Sequence, residues 1–119
     1  MKNENSKKLL SGTVIHGADL YSATKPYPLM KVWSDKINQE FLNQTAEEEK
    51  LGLPVTAYMK ELDKENTRAK SEIGFIKIIA RPLWTTLNAF FDNKLEEQLK
   101  TVEDNLKTWE KVVEKLTQK

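Results

Sequence analysis

Apolar residues that recur at intervals of three and four constrain the fold of this chain more than any other feature. One such stripe, with members four residues apart, consists of Leu29, Trp33, Ile37 and Phe41. That spacing places its members on one face of a helix. Only four glycines and four prolines interrupt the 119 residues, and no alternation typical of strands competes with the helical spacing. We therefore predict an all-α fold, a helical bundle.

Two further helices are predicted in the second half of the chain. The segment from about 66 to 91 is apolar around most of its circumference, which is typical of a helix at the centre of a larger bundle. Pro82 lies inside it and removes the amide that would have bonded the Ile78 carbonyl, so we expect a kink or a local break. The last helix, from about 94 to 115, carries a heptad stripe made up of Leu95, Leu99, Val102, Leu106, Trp109, Val113 and Leu116. This stripe favours packing against the preceding helix, with self-association through 95–116 as the alternative.

The charge balance argues against several classes of partner. Lys and Arg number 19 against 18 Asp and Glu, so the chain lacks the net positive field that attracts nucleic acid or an anionic membrane. The polar start and the lack of a long uncharged apolar run argue against a signal peptide and a transmembrane helix. Without cysteine no disulfide framework can form, and we expect a cytoplasmic location.

Four segments carry most of the chemical information, and their order is more specific than any one of them. The first is Val14-Ile15-His16-Gly17-Ala18-Asp19-Leu20, followed at once by Thr24-Lys25-Pro26. The others are Trp33-Ser34-Asp35-Lys36-Ile37, Lys70-Ser71-Glu72-Ile73-Gly74-Phe75-Ile76 and Val102-Glu103-Asp104-Asn105-Leu106. In this order, over about 14–109, the chain resembles the C-terminal part of the class I 3′,5′-cyclic-nucleotide phosphodiesterase catalytic domain. The resemblance implies that residues 1–119 form a single partial domain of that HD-type helical fold.

The resemblance gives Asp19 a role that its position alone does not. By itself, an aspartate near a helix end is more often a cap or an ion-pair partner than a metal ligand. In the family, the matching aspartate joins two histidines and another aspartate around one of two divalent ions, expected to be zinc and magnesium. Such a site hydrolyses cyclic AMP or cyclic GMP to the 5′-nucleoside monophosphate by a two-metal mechanism. His16 is no ligand in that scheme, and we interpret it as a buried, hydrogen-bonded residue that orients the loop around Asp19.

The family's other metal ligands and its general-acid histidine lie upstream of the part that this chain resembles. His16 is the single histidine here. We therefore expect no catalytic residue within this chain, no metal held by it alone, and no hydrolysis without the remainder of the catalytic domain. Its expected partners are that remainder and a cyclic nucleotide. Two alternatives stay open: a stand-alone helical interaction module that uses the 95–116 stripe, and a relative that binds nucleotides without cleaving them.

The resemblance also identifies residues of a substrate pocket. Phe75 and Ile37 match the pair that sandwiches the purine ring, although ordinary core packing would explain the same pattern. Trp33 and Phe41 share the stripe of Ile37 and are expected to line the pocket or to pack in the core. Ser22 stands where the family usually has an asparagine near the nucleotide. Because serine has a shorter reach and no amide donor, a structural role is the safer interpretation for it.

Glu72 replaces the glutamine with which the family reads the edge of the purine. A carboxylate accepts hydrogen bonds and donates none unless it is protonated, whereas an amide does both. Adenine requires a donor and an acceptor opposite its N1 and amino group, but guanine offers two donors, N1–H and its 2-amino group. We therefore expect weaker cyclic AMP binding and a preference tilted toward cyclic GMP, worth about 1–3 kcal/mol.

Overall fold

The computed structural model describes residues 3–118, and helices are the only regular structure in that range. Its α-helices are α1 (Glu4–Asp19), α2 (Tyr27–Lys50), α3 (Glu65–Phe75), α4 (Arg81–Phe90) and α5 (Glu96–Thr117). Two 3₁₀ helices, Tyr21–Thr24 and Ala57–Glu61, follow α1 and α2, and a π-helical turn, Ile76–Ala80, joins α3 to α4. The predicted all-α fold is confirmed. None of the helices formed by residues 3–118 is both long and apolar enough to cross a lipid bilayer.

The apolar helix predicted over 66–91 is present, but its hydrogen-bond ladder widens in the middle. At the π-helical turn the Arg81 amide donates to the Ile76 carbonyl, five residues back instead of four. Pro82 lies at the start of α4, immediately after this turn. Because proline has no N–H to offer the Ile78 carbonyl and its ring crowds the preceding turn, a wider turn accommodates it. The expected irregularity is therefore confirmed, as a π bulge between α3 and α4.

The core lies where α5 packs across α3, the π-helical turn and α4. Its buried members are Ala23, Met30, Ala69, Ile76, Ala80, Val102, Leu106 and Trp109. The Trp109 ring meets the Tyr27 ring edge to face, with the centroids 5.1 Å apart. The last three core members belong to the heptad stripe, which therefore packs inside the chain. The alternative use of this stripe, self-association through 95–116, is not supported, because the centre of that face is already covered.

A large apolar surface is left uncovered by the described residues. Ile78 is 77% exposed, and Ile79 on the same turn and Phe90 at the end of α4 are exposed as well. On α1, Leu9 and Ile15 are also largely exposed. Single exposed apolar residues are ordinary, but several on neighbouring helices form a surface of the kind that packs against further protein. This agrees with the sequence-based expectation that the segment over 66–91 belongs to a larger bundle.

The C-terminal end of α1 is held against α4 by a close approach at Gly17. This glycine is buried, and a Cβ atom added to it would lie 2.7 Å from Leu87 Cδ1. A Cβ atom at that distance would force the end of the Leu87 side chain to shift, so glycine lets the two helices come this near without such a displacement. The contact fixes the end of α1 that carries Asp19.

Candidate functional site

A cleft of about 590 Å³ opens between α2, α3, the π-helical turn and the segment that follows α1. Seven of the eight residues singled out in the sequence line it: Asp19, Ser22, Trp33, Ile37, Phe41, Glu72 and Phe75. Asp19 ends α1, Ser22 belongs to the first 3₁₀ helix, and the others come from α2 and α3. The fold thus brings into one cavity residues that are far apart along the chain. His16 is not part of this lining.

The walls of the cleft are apolar, and the stripe on α2 supplies one of them. Trp33 and Ile37 are 42% and 41% exposed, which excludes core packing as their role within residues 3–118. The Trp33 ring packs edge to face against Tyr21, with the centroids 6.1 Å apart. Phe75 on α3 is partly buried and packs against the core while also lining the cleft. The position of Phe75 therefore fits both interpretations of its sequence pattern, core packing and contact with a ligand in the cleft.

A buried polar cluster interrupts these apolar walls. Glu72 is 8% exposed, and the Ser34 hydroxyl lies 2.6 Å from its Oε1 atom. The Asn38 side-chain nitrogen donates to the Ser34 carbonyl oxygen at 2.8 Å and lies 3.2 Å from the Ser34 hydroxyl oxygen. All three residues line the cleft. A molecule bound in the cleft would therefore meet the Glu72 carboxyl with the Ser34 hydroxyl already hydrogen-bonded to it.

The surroundings of Glu72 disfavour its charged form. Burial is the largest cause, and it raises the pKa of the Glu72 carboxyl above its ordinary value. Hydrogen bonding by Ser34 and Asn38 opposes this rise in pKa, while the carboxylate of Asp35 on α2 adds to it. The net effect is a carboxyl group that takes up its proton more readily than an exposed one does.

The segment that carries Ser22 is fastened to α5 by one buried side chain. The Asn105 side-chain nitrogen donates to the carbonyl oxygens of Ala23 and Lys25, each at 2.8 Å. Asn105 is 2% exposed, so both bonds form largely out of water. Together with the contact at Gly17, they anchor the chain before and after the turn at the mouth of the cleft.

His16 does not have the environment that we predicted for it. Its side chain is exposed, and only its main-chain carbonyl takes part in the turn, by accepting the Leu20 amide. The reason is geometric: α1 meets α4 through Gly17, and successive residues on a helix point about 100° apart. Within residues 3–118 His16 is therefore exposed and not buried as we expected, and its role in orienting the loop stays a prediction.

The fit of these residues to a metal ion is poor. Within residues 3–118, no group of three or more His, Cys, Asp and Glu side chains is arranged to hold one. A catalytic zinc site takes three protein ligands. Asp19 is exposed at the end of α1 and has no companions of that kind in the described part of the chain. The described residues do not by themselves make a catalytic metal site.

Sequence reasoning missed three polar residues that organise the site: Ser34, Asn38 and Asn105. Ser34 and Asn38 are four apart and each follows a member of the α2 stripe by one residue, a spacing that could have indicated a second functional face. Asn105 lies between Val102 and Leu106 in the heptad stripe, where a polar residue signals a specific buried partner.

Comparisons with known proteins agree with one another. A family model described as 3′5′-cyclic nucleotide phosphodiesterase matches residues 1–102. The Mus musculus protein named 3′,5′-cyclic-AMP phosphodiesterase 4C is 37% identical over 94 residues, which is 78% of this chain and 13% of that protein. The Caenorhabditis elegans protein named probable 3′,5′-cyclic phosphodiesterase pde-3 is 39% identical over 85 residues, which is 71% of this chain and 12% of that protein.

A solved structure extends the similarity to the fold. The phosphodiesterase domain of Salpingoeca rosetta rhodopsin phosphodiesterase matches with a TM-score of 0.90 and 32% identity, covering 98% of this chain and 35% of that one. The chain thus spans about a third of this matched domain structure and about an eighth of the curated relatives. Because the family model covers most of the chain, the chain belongs to the 3′,5′-cyclic nucleotide phosphodiesterase family.

Proposed function

We propose that this chain forms the purine-binding part of a catalytic domain that hydrolyses cyclic AMP, cyclic GMP or both to 5′-nucleoside monophosphates. The observation that carries the proposal is that one cleft gathers seven residues which the sequence had singled out, among them the matched metal ligand Asp19 and the matched purine-pocket residues Ile37, Glu72 and Phe75. Small-molecule sites usually have volumes of about 300–1,000 Å³, and the cleft, at about 590 Å³, lies within that range.

The apolar walls suit a flat heteroaromatic ring. In this proposal Ile37 on α2 and Phe75 on α3 hold the purine between them, while Trp33 and Phe41 extend the wall along the α2 stripe. A branched aliphatic side chain and an aromatic face exclude water from both sides of a base. The partial exposure of Trp33 and Ile37 supports this role, because they leave apolar area free for a ligand to bury. Ser22 keeps a structural role.

Glu72 is the group in this cleft that would read the edge of the base. When it is ionised it presents acceptors alone, which suit the two donors of guanine and lack the donor that adenine requires. We therefore propose that ionised Glu72 favours cyclic GMP over cyclic AMP.

The chain does not supply a complete catalytic centre. We propose that Asp19 is a metal ligand in the complete domain and that the other ligands of two divalent ions, zinc and magnesium, come from the remainder of that domain. The exposed apolar residues on α1 and at the end of α4, which lie outside the cleft, support packing against such a remainder. The chain alone would then be inactive. Metal-dependent hydrolysis of a cyclic nucleotide by the purified chain, abolished by Asp19→Ala, would contradict this. We also propose a cytoplasmic location.

The stand-alone interaction module has lost its main support, since the centre of the α5 stripe is buried within the chain. A relative that binds nucleotides without cleaving them would use the same cleft. Binding and hydrolysis therefore need separate measurements.

The binding test is a titration of the 119-residue chain with cyclic GMP and cyclic AMP by calorimetry. Ile37→Ala should weaken binding about tenfold, because it removes apolar area that the base would cover. The matched control is Ile15→Ala, which shortens an exposed isoleucine outside the cleft and should leave affinity unchanged. Equal affinities for the two variants, or no binding by the folded chain, would refute the proposed site.

A further inference from the structure

The hydrogen bonds that join Ser34, Asn38 and Glu72 run in one direction, which follows from the positions of their heavy atoms. A carbonyl oxygen accepts hydrogen bonds and cannot donate, so the Asn38 atom that lies 2.8 Å from the Ser34 carbonyl must be the nitrogen. The same nitrogen lies 3.2 Å from the Ser34 hydroxyl oxygen, which therefore accepts its second hydrogen. The hydroxyl proton must then point elsewhere, and Glu72 Oε1 lies 2.6 Å away. The order of donation is Asn38 to Ser34 to Glu72.

We propose that Asn38 is a positioning residue that fixes Glu72 Oε1 as an acceptor, so that Oε2 is the oxygen that gains or loses a proton and thereby selects the purine base. The inference rests on the proposed purine site and deepens it. Among the described residues, no donor lies within hydrogen-bond distance of Oε2, although Asn38 is near enough to the carboxyl to lower its pKa, and Glu72 lines the cleft. This oxygen is the part of the carboxyl group left for a ligand.

The two protonation states present different hydrogen-bonding patterns. With Glu72 ionised, Oε1 and Oε2 both accept, which matches guanine N1–H and the guanine 2-amino group. With Glu72 protonated by solvent, Oε2–H donates to adenine N1 while Oε1 accepts from the adenine amino group. No other chemical change is required. One side chain would thus read guanine at higher pH and adenine at lower pH.

The switch depends on the charges that surround Glu72. From α2, Asp35 favours the protonated form, although its ion pair with Lys31 at 2.9 Å moderates this, and Tyr27 lies near enough to interact. The other titratable groups that line the cleft are Asp19, Tyr21 and Tyr58. Burial raises the pKa of Glu72 and so moves the switch toward neutral pH.

The first measurement needs no nucleotide. The Glu72 side-chain carboxyl carbon, followed by NMR in the 119-residue chain, should titrate at higher pH in Asn38→Leu, because a donor that favours the ionised form is lost. Asn38→Gln keeps an amide and should restore the lower midpoint. Asn43→Leu removes an exposed amide from the same helix and should change nothing. If Asn38→Leu does not fold, Ser34→Ala tests the same order of donation and should also raise the midpoint.

An unchanged midpoint in the folded Asn38→Leu or Ser34→Ala chain overturns the inference. The second measurement adds cyclic GMP or cyclic AMP at pH values on both sides of the midpoint. The ratio of the two dissociation constants should move by about tenfold or more toward cyclic AMP as Glu72 is protonated. Glu72→Gln should abolish this pH dependence, and Asn38→Leu should shift it to higher pH.

The two measurements separate failure of the inference from failure of the proposed function. Nucleotide binding with a ratio that does not depend on pH overturns the inference and leaves the purine site standing. Complete lack of binding by the folded chain overturns the proposed function, and the titration without nucleotide still decides whether Asn38 controls Glu72.

Discussion

Replacing Asn105 with alanine should loosen the connection between α5 and the turn at the mouth of the cleft. The Asn105 side-chain nitrogen lies 2.8 Å from the carbonyl oxygens of both Ala23 and Lys25. Ala23 is completely buried, so its carbonyl has little access to water once the amide is gone. Asn105→Ala therefore removes two hydrogen bonds and leaves at least one buried acceptor unpaired.

The expected cost follows from these two bonds. A neutral hydrogen bond contributes about 0.5–1.5 kcal/mol net, and a buried polar group left without a partner costs about 1–3 kcal/mol. The bond to Ala23 is buried and the bond to Lys25 is part-buried, so water can replace the second one more readily. We expect the free energy of unfolding to fall by about 2–4 kcal/mol.

Urea unfolding followed by circular dichroism measures this loss directly. The matched control is Asn43→Ala, which removes an exposed amide from α2 and should change the free energy of unfolding by less than about 0.5 kcal/mol. If Asn105→Ala costs no more than this control, the two hydrogen bonds do not hold the turn and the reasoning is refuted.

Two further substitutions test the packing of α1 and the burial of Glu72. Gly17→Ala should lower the melting temperature, since its Cβ would meet Leu87 at 2.7 Å, whereas Gly12→Ala on the same helix meets nothing within 4 Å and should raise it. If Gly17→Ala raised the melting temperature as Gly12→Ala does, the close approach of α1 to α4 would be contradicted. Because the folded-state pKa of Glu72 is raised, its contribution to stability is lost as pH rises from the ordinary carboxyl range through that pKa. Glu72→Gln should remove this loss in urea unfolding measured at several pH values, and the exposed control Glu40→Gln should retain it.

The helices could be predicted from the sequence, but what each apolar face contacts could not. Periodicity shows which residues share a face and says nothing about what lies opposite. For the heptad stripe of α5 the simplest interpretation, packing within the chain, is confirmed by the burial of Val102, Leu106 and Trp109. For the α2 stripe the same kind of pattern forms a wall of the cleft, with Trp33 and Ile37 partly exposed.

The polar part of the site was harder to predict because its partners are distant in sequence. Ser34 and Asn38 are separated by 38 and 34 residues from Glu72, and polar residues on a helix usually face solvent. The resemblance to a family indicated Glu72 but gave no role to Ser34 or Asn38, which hold it. The exposure of His16 within the described residues was missed for a related reason: a one-residue difference on α1 decides between the face that meets α4 at Gly17 and the exposed surface.

Asp19 lies between two contacts that hold the chain in place on either side of it. Before it, Gly17 holds α1 against α4, and after it, Asn105 holds the turn against α5. Between these anchors the Asp19 carboxylate is exposed, so it pays no desolvation cost while unpaired. A ligand of a site completed by other protein requires this combination, because it must be fixed in place beforehand and still be accessible. The two anchors therefore support the proposal that Asp19 serves a metal centre which this chain only partly forms.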